Sequence, residues 1–372
     1  MSRLVKPNQL RVRGTAALLQ RRRFLSASLV VPLALSQWGC SRTALTSMRG
    51  ATMGTYYRIS LGQATGTPEF GRAELITLQH KIDTRLIEIE RQMSTYDSDS
   101  DLNRLAATRL SQPLALGADT LAVLRASIAL NAFSRGAFDP TVAPLVDAWG
   151  FGPEANEILR PPPHANNTLN NGPIVERQRA AQAVIGMQHM QLQQENATRL
   201  APVRLDLNAI AKGYAVDQVQ VLLQRHGISN ALVDIGGELR ANGKAQPNRT
   251  WRVGIQDPNT VAGTYVLVVT LNNEAIATSG DYRQFYLHQG QRYSHTIDPR
   301  SRAPVKHATA SVTVVSADAM QADAFATALM VMGSNEAARF AEREGIAALF
   351  IDRVANGLQT TMSPRFRAHY AS

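Results

Sequence analysis

Cysteine and long apolar runs are the scarcest features of this 372-residue chain, and their scarcity excludes three classes of protein. The single cysteine, Cys40, cannot support a disulfide framework or a zinc site built from cysteines. No run reaches the ~18–20 apolar residues that span a bilayer, which excludes a polytopic membrane protein. Because 44% of the residues are hydrophobic and 18% are charged, wholesale disorder is excluded as well.

Three catalytic sequence motifs are also missing. The chain contains no G-x-S-x-G, no P-loop and no G-x-G-x-x-G. Serine hydrolases with a nucleophile elbow, P-loop NTPases and Rossmann dehydrogenases therefore have no support in this sequence.

The net charge of +10 is unevenly distributed along the chain. Residues 1–23 contain seven Lys and Arg and no acidic residue, and removing these seven charges leaves +3 for the rest. A nucleic-acid-binding protein keeps its basic residues on the folded body, as a stripe or a face. The charge distribution therefore predicts no nucleic-acid partner.

Residues 1–40 are predicted to be an export signal. They contain no acidic residue, and an apolar run at 24–35 follows the basic stretch, as in a signal peptide. The alternative is a buried core helix with a basic flank. Arg21-Arg22-Arg23-Phe24-Leu25 also resembles the twin-arginine signal, which directs folded proteins to export.

Cys40 leaves two alternatives for the exported protein. The pair Gly39-Cys40 resembles a lipoprotein cleavage box, but Gln37 stands where that pattern has an aliphatic residue. The protein is therefore expected to be periplasmic, either anchored to the inner membrane through a lipidated Cys40 or free. Both alternatives place the folded body in an oxidising compartment, where a chain without further cysteines is stable.

Residues 46–368 are predicted to form one domain, because no repeat and no clear linker divides them. An amphipathic helix is predicted by apolar residues that recur every three or four positions: Leu75, Leu78, Ile82, Leu86, Ile89 and Met93. Further helices are predicted from Asp119 as N-cap, at 209–226 and at 320–332, the last two ended by Gly227 and Gly333. Strands are predicted at 46–61, 203–207, 230–235, 251–255, 264–271 and 310–315. Strands grouped between helices predict an α+β fold rather than a doubly wound sheet.

Residues 153–173 are predicted to be a loop insertion in this domain. The segment contains a triple proline at 161–163, two Asn pairs and a final Gly172-Pro173. Proline lacks a backbone donor and asparagine favours turns, so neither a helix nor a strand is expected here.

The stretch 206–214, DLNAIAKGY, is predicted to join a strand to a helix. The N-terminus of a helix presents unpaired N–H groups and a partial positive charge, which favours a bound anion. Lys212 is electrostatically unfavourable in a first helical turn unless an anion lies nearby. The alternative is that Asp206 only caps the helix and that Lys212 is solvated.

Asp323 and Thr327 are four residues apart on a predicted helix, so their side chains share one face. A carboxylate and a hydroxyl are the hard oxygen ligands that Mg²⁺ prefers. The alternative is that Thr327 bonds to its own helix backbone and that Asp323 is a surface acid.

Three further segments contain candidate binding residues: 137–141, 234–238 and 278–283. A Gly-Gly pair after a strand, as at 236–237, permits close approach of a ligand to the backbone, although turns also use it. His295 lies three residues before Asp298 in a short predicted loop, which makes it a candidate for acid–base chemistry.

Together these segments resemble the ApbE family, the FAD:protein FMN transferases. The resemblance covers nearly all of 48–365 and follows the family's order of motifs: MGT (53–55), MSTY (93–96), FDPTV (138–142) with WGFG (149–152), DLNAIAKGY (206–214), VDIGG (233–237), TSGDY (278–282), HTIDP (295–299) and ADAFAT (322–327). Eight motifs in one order are hard to obtain by chance. The resemblance implies a single elaborated ApbE-like, T-fold-related domain of mixed sheets with packed helices.

The resemblance also implies a reaction. In this family Mg²⁺-dependent transfer moves the FMN half of FAD to a Ser or Thr hydroxyl of a partner protein, and AMP leaves. The implied acceptor carries a motif of the form D-x-x-x-G-A-S/T and is expected to be a membrane redox subunit. Two alternatives remain: an FAD pyrophosphatase that gives FMN and AMP, and a non-catalytic exported FAD-binding protein.

The family's functional residues fall on twelve positions of this chain, and His295 is a thirteenth candidate site residue. The implied FAD contacts are Met53, Tyr96, Ala137, Phe138, Asp139, Asp206, Lys212 and Ile297. The implied metal ligands are the Ala209 carbonyl, Asp323, Ala326 and Thr327, and Asp323 is counted as catalytic for this reason. Some relatives have Thr at position 209, an acid at 326 and Glu at 212. An acceptor hydroxyl benefits from a general base, for which His295 is the candidate, ahead of Asp298 and Asp281.

Overall fold

The computed structural model describes residues 45–63, 70–152, 173–260, 263–281, 285–288 and 291–370. The predicted export signal at 1–40, including Cys40, lies outside the described residues. Residues 153–172 of the predicted loop insertion also lie outside them. Pro173, which the sequence places at the end of that loop, is instead the first residue of a helix.

The described residues include nine α-helices. They are α1 (Arg72–Met93), α2 (Asp101–Ala107), α3 (Ala118–Phe133), α4 (Ala143–Ala148), α5 (Pro173–Val184), α6 (Ala211–Arg225), α7 (Ala319–Met332), α8 (Ser334–Arg343) and α9 (Pro364–Tyr370). Asp318 caps α7 by accepting a hydrogen bond from the Gln321 N–H. Gly333, at a φ of 74°, ends α7 as predicted.

Strands alternate with single helices and with groups of helices along the chain, and this order confirms the α+β class. They are β1 (Ser47–Thr52), β2 (Thr55–Leu61), β3 (Leu114–Ala115), β4 (Met190–Gln193), β5 (Asn196–Arg199), β6 (Ala231–Ile235), β7 (Glu238–Asn242), β8 (Trp251–Gln256), β9 (Tyr265–Leu271), β10 (Ala275–Gly280), β11 (Phe285–His288), β12 (Gln291–Ser294), β13 (Ile297–Asp298), β14 (Ala303–Pro304), β15 (Thr309–Ser316), β16 (Ala347–Val354) and β17 (Gly357–Met362).

An antiparallel sheet forms the centre of the fold, with the strand order β1-β2-β6-β7-β10-β15-β16-β17. Strand β15 is buried along most of its length because both faces of the sheet are covered there. Val312 and Val314 pack against α7 and α8. Val315 packs in a separate cluster with the β8–β9 hairpin and α9.

Helices α1, α6 and α7 contribute to one large apolar cluster together with β2, β6 and β10. The predicted stripe of α1 is confirmed, since Leu78, Ile82, Leu86, Ile89 and Met93 are all buried. Burial of these apolar faces is the main driving force for packing the helices against the sheet. It brings α7 alongside the first turn of α6. None of the helices within the described ranges is long and apolar enough to cross a bilayer.

Three local predictions are wrong. Residues 203–207 form no strand, because their backbone bonds go to loops: the Asp206 N–H donates to the Pro140 carbonyl, 2.7 Å away. Asp119 does not cap α3, whose N-cap is Gly117. The Asp119 carboxylate is instead buried and accepts hydrogen bonds from Arg85 and from the Tyr214 hydroxyl. Residues 46–61 form two strands rather than one, with a turn between β1 and β2.

Candidate active site

A cleft of about 420 Å³ brings together most of the predicted site. It is lined by α6, by α7, by the end of β10 and by the segments 137–140 and 295–299. Eleven of the thirteen predicted residues line it: Tyr96, Ala137, Phe138, Asp139, Asp206, Ala209, Lys212, His295, Ile297, Asp323 and Thr327. Motifs that are far apart in the sequence therefore converge on one cavity.

The crossing of α6 and α7 places Asp323 in the cleft. The Gly213 N–H, in the first turn of α6, donates a hydrogen bond to Asp323 Oδ2 at 3.0 Å. A Cβ atom on Gly213 would lie 2.2 Å from the Ala319 carbonyl oxygen, so only glycine allows this close approach. Asp323 is buried, which contradicts the alternative that it is a surface acid. Burial raises the pKa of the Asp323 carboxyl, an effect that the neighbouring Lys212 ammonium opposes.

Three oxygen atoms lie close to the Lys212 ammonium. Its Nζ lies 3.4 Å from Glu238 Oε1 and 3.7 Å from Asp323 Oδ2, and it donates to the Asn208 carbonyl at 3.2 Å. The alternative of a merely solvated lysine is therefore wrong. Glu238, the first residue of β7, lines the cleft and is buried. Glu238 is the last residue of the candidate segment 234–238, and the sequence predicted no individual role for it.

Asp206 lies before α6 and does not cap it, because the N-cap is Ile210. The Asp206 side chain accepts a hydrogen bond from the Asn208 N–H at 2.8 Å, which orders the turn. Burial raises the pKa of the Asp206 carboxyl, while the Asn208 N–H and the charges of Lys212 and His295 lower it. His295 is therefore close enough to Asp206 for the two to interact electrostatically.

The segment 137–141 is a rigid wall of the cleft. The Phe138 N–H donates to Ser134 Oγ and the Phe138 carbonyl accepts from Asn131 Nδ2. Asp139 Oδ1 accepts hydrogen bonds from the N–H and the hydroxyl of Thr141, at 2.8 and 2.6 Å. Burial raises the pKa of the Asp139 carboxyl. The Ala137 and Phe138 side chains are buried in the apolar core.

His295 follows β12 and precedes Ile297, and both His295 and Ile297 line the cleft. The two other candidate bases, Asp298 and Asp281, are hydrogen-bonded to arginine side chains. Asp298 accepts hydrogen bonds from Arg300, and the buried Asp281 accepts two from Arg353 at 2.7 and 2.9 Å. Neither carboxylate lines the cleft, so the geometry favours His295 among the three.

A stack of aromatic rings that sequence analysis missed stands beside His295. The ring centroids of Tyr286 and Tyr293 are 5.2 Å apart, as are those of Phe151 and Tyr286, and Trp149 continues the stack on Tyr293 at 6.3 Å. Phe151 lines the cleft and contacts the His295 ring edge-on, with 6.4 Å between centroids. Such contacts stabilise the position of the β11–β12 hairpin that leads to His295.

Two predicted residues do not line the cleft. Met53, at a φ of 48°, donates its backbone N–H to Glu90 and packs against the core. The Ala326 side chain is buried in the apolar cluster of α7, α8 and β15, and because a methyl group has no metal-binding atom, a metal contact there can come only from backbone. Tyr96, in contrast, lines the cleft with 81% of its surface exposed. The ligand contacts assigned to these residues stay predictions.

Comparisons with known proteins agree with this fold. The model of the ApbE family matches residues 53–350. The FAD:protein FMN transferase of Vibrio cholerae is 38% identical over 331 residues, covering 88% of this chain and 94% of that protein. That of Haemophilus influenzae is 36% identical over 357 residues, covering 93% and 98%. The solved flavinyl transferase ApbE of Pseudomonas stutzeri has a TM-score of 0.77 and 34% identity, covering 88% of this chain and 97% of that one.

The fold is thus shared with a class of enzymes, the flavin transferases, and this chain is an enzyme. The chain belongs to the ApbE family. The resemblance found from the eight motifs is therefore confirmed over most of the chain.

Proposed function

We propose that this enzyme transfers the FMN half of FAD to a Ser or Thr hydroxyl of a partner protein and releases AMP. Membership of the ApbE family supports flavin transfer to a protein. The observation that carries the proposal is the convergence of Asp323, Thr327, Lys212 and His295 on one cleft. Phosphoryl transfer depends mainly on positioning and on neutralising charge at the phosphate oxygens, and these residue types supply both.

The donor set of the cleft fits Mg²⁺. Asp323 and Thr327 both line the cleft from one face of α7, and Ala209, which also lines it, lies before the first turn of α6. Hard oxygen donors of this kind suit Mg²⁺, which keeps several positions for water and phosphate oxygens. No cluster of three or more His, Cys, Asp or Glu suited to a metal occurs in the described part of the chain. Asp323, Thr327 and the backbone of Ala209 and Ala326 would hold the ion, which would supply positive charge to the pyrophosphate.

His295 is proposed to accept the proton of the acceptor hydroxyl. The hydroxyl oxygen then forms a bond to the phosphorus of the FMN half, and the bond from that phosphorus to the oxygen of AMP breaks. Lys212 is proposed to bind phosphate oxygens, where its ammonium neutralises charge. Tyr96, Asp139, Asp206 and Ile297 are proposed to contact FAD, with Met53 and the backbone of Ala137 and Phe138.

The partner and the location are also proposals. The acceptor is proposed to be an exported membrane redox subunit with a D-x-x-x-G-A-S/T segment. The basic and apolar pattern of residues 1–35 supports export to the periplasm, and a lipidated Cys40 would hold the enzyme at the membrane surface.

One assay tests transfer against the two alternatives. The full chain is incubated with FAD, Mg²⁺ and a tagged peptide that contains D-x-x-x-G-A-T, with a matched peptide ending in Val as control. Transfer predicts flavin fluorescence that survives denaturation on the Thr peptide only, with one AMP released for each flavin attached. AMP and FMN release that is equal with both peptides would make the enzyme a pyrophosphatase. FAD binding without AMP release would contradict catalysis.

A further inference from the structure

Two buried carboxylates share one ammonium group in the cleft. The side chains of Glu238 and Asp323 are 4% and 7% exposed, whereas that of Lys212, which lies within 4 Å of both, is 25% exposed. A carboxylate removed from water requires a nearby positive charge. The Lys212 ammonium is a positive charge that lies near both carboxylates.

The three side chains differ in their freedom to move. Glu238 lies at the start of β7, where residue 238 pairs with Ile235 directly after the tight turn at Gly236-Gly237. Asp323 is bound by the Gly213 N–H in the crossing of two helices. Lys212 has a flexible four-carbon stem and is the most exposed of the three. A change in charge at this cluster will therefore move the lysine and leave the carboxylates in place.

A divalent cation on Asp323 is incompatible with the present position of Lys212. An ammonium 3.7 Å from Asp323 Oδ2 would lie next to such an ion and be repelled by it. A substrate with a pyrophosphate group offers the displaced ammonium new anionic partners in the same cleft. Metal and substrate binding should therefore be coupled through this lysine.

We propose that Glu238 is a positioning residue that shares the Lys212 ammonium with Asp323 and so weakens their pair, and that this ammonium would move from Asp323 toward the phosphates of the substrate when Asp323 holds Mg²⁺. This inference rests on the proposed function, because it takes Asp323 as a metal ligand. It assigns Glu238 a part in the reaction and predicts that Mg²⁺ and FAD bind cooperatively.

The first test measures Mg²⁺ binding directly. Calorimetric titration of Mg²⁺ into the FAD-free full chain, at about pH 8 and constant ionic strength, should show Lys212→Met binding the metal about tenfold more tightly than wild type. Lys81→Met is the matched control, since Lys81 is exposed on α1, bonds to His226 and does not line the cleft. It removes the same charge and should leave Mg²⁺ affinity unchanged. If Lys212→Met does not fold, Lys212→Gln provides the same comparison.

The second test measures cooperativity. FAD affinity is determined from flavin fluorescence in EDTA and at saturating Mg²⁺. Mg²⁺ should increase the FAD affinity of wild type. The increase should be smaller in Lys212→Met, by about the same factor as this variant gains in Mg²⁺ affinity, because the coupling between the two ligands is reciprocal.

The third test concerns Glu238. Glu238→Gln keeps the shape of the side chain but removes its negative charge. Lys212 then pairs more strongly with Asp323, so Mg²⁺ affinity should fall. The fall should be smaller in the Lys212→Met background, because the lysine no longer transmits the effect. A structural role would instead lower the melting temperature and change Mg²⁺ affinity equally in both backgrounds, which would overturn the positioning role.

The outcomes separate this inference from the proposed function. Equal Mg²⁺ affinity in wild type and Lys212→Met would overturn the inference and leave the metal site standing. No Mg²⁺ binding in any variant, with or without FAD, would overturn both. Tighter Mg²⁺ binding by Lys212→Met, in an enzyme whose wild type releases AMP without labelling the peptide, would support the inference and contradict protein transfer.

Discussion

At the scale of single residues, Asp323 connects the fold to the proposed chemistry. Its carboxylate accepts the Gly213 N–H, lies near the Lys212 ammonium and lines the cleft one helical turn before Thr327. A buried acid whose pKa is raised is costly to keep ionised, and such groups concentrate at functional sites. The geometry therefore favours a role for Asp323 beyond packing.

Replacing Asp323 by Asn should abolish most activity. The variant keeps the side-chain shape but removes the one formal negative charge among the proposed metal ligands, so we expect turnover to fall about 10²-fold or more. Thr327→Val, which removes a neutral ligand that water can replace, should cost less, about tenfold. Transfer rates measured over a range of Mg²⁺ concentrations check both. Normal activity of Asp323→Asn at low Mg²⁺ would refute the metal assignment.

Replacing His295 by Ala separates chemistry from binding. If His295 is the base, turnover should fall by roughly 10²–10⁴ while FAD affinity changes little. The wild-type rate should also fall as the pH drops through the range in which histidine binds a proton, because a protonated ring cannot accept another one. FAD affinity and acceptor turnover are measured on the same variant. Parallel losses in both quantities would assign His295 to shaping the loop.

Replacing Asp206 by Asn should stabilise the fold while weakening FAD binding. Because burial raises the pKa of Asp206 in the folded state, the folded protein binds its proton more tightly than the unfolded chain. The Asp206 carboxyl therefore contributes stability at a pH below its pKa in the unfolded chain, and this contribution is lost as the pH rises through its pKa in the folded protein. The variant's melting temperature should therefore exceed that of wild type at pH 8, and the gap should close toward pH 4. Thermal melts at several pH values check this, and a gap that widens on acidification would show the opposite shift.

At the scale of secondary-structure elements, the contact between α6 and α7 positions the site. The Asp217 carboxylate on α6 accepts the N–H groups of Ala319 and Met320 at the start of α7, at 3.0 and 2.9 Å. Arg240 on β7 pairs with the same carboxylate. These bonds, with the Gly213 contact, join both helices to the strand that begins at Glu238.

Replacing Gly213 by Ala tests this contact. The added methyl group would meet the Ala319 carbonyl at 2.2 Å, so the helices must separate, and we expect a loss of about 1–3 kcal/mol with strongly reduced transfer. Gly71→Ala is the control, because its Cβ would make an ordinary contact at 3.5 Å and its φ is −65°. Chemical denaturation and transfer assays measure both variants. Wild-type stability of Gly213→Ala would contradict the packing argument.

The β11–β12 hairpin is a second element that shapes the cleft. Its Tyr286 and Tyr293 stack on each other and between Phe151 and Trp149, which lie more than 130 residues earlier in the chain. Burial, with the nearby Tyr293 hydroxyl, raises the pKa of Tyr286 to about 12, so this ring stays neutral at physiological pH. The stack is therefore insensitive to pH in the range where a histidine base titrates.

At the scale of the whole molecule, much of the positive net charge lies in the predicted export signal. Seven of its basic residues lie in the predicted export signal, and none of the thirteen predicted site residues precedes Met53. Catalysis and export should therefore be separable.

Replacing Arg21 and Arg22 by Lys should block export without affecting transfer in vitro. The twin-arginine route recognises the arginine pair itself rather than its charge, so lysine is not an adequate substitute. Cell fractionation measures export, and the acceptor-peptide assay measures activity. A double lysine variant that still reaches the periplasm would assign the signal to the general secretory route.

Most of the elements could be predicted because their signals are local. The stripe of α1, the cap and stop of α7, and strands β8, β9 and β15 follow from periodicity and from residues at element ends. The family could also be recognised, since each motif is a short segment in a constant order. The sequence alone thus determined the α+β class, the family and the residues that could take part in chemistry.

Tertiary structure decided how those residues meet. Asp119 looked like a cap because capping residues are recognised locally, yet its partner Tyr214 is 95 positions away. From the sequence, the charge of Lys212 is unfavourable in the first turn of its helix. In the fold, Glu238 and Asp323 lie within 4 Å of it and compensate this charge. Burial and ion pairing depend on segments such as those of Gly213 and Asp323, which are 110 residues apart. Local patterns contain no information about such pairs, because the energy of a buried charge depends on everything packed around it.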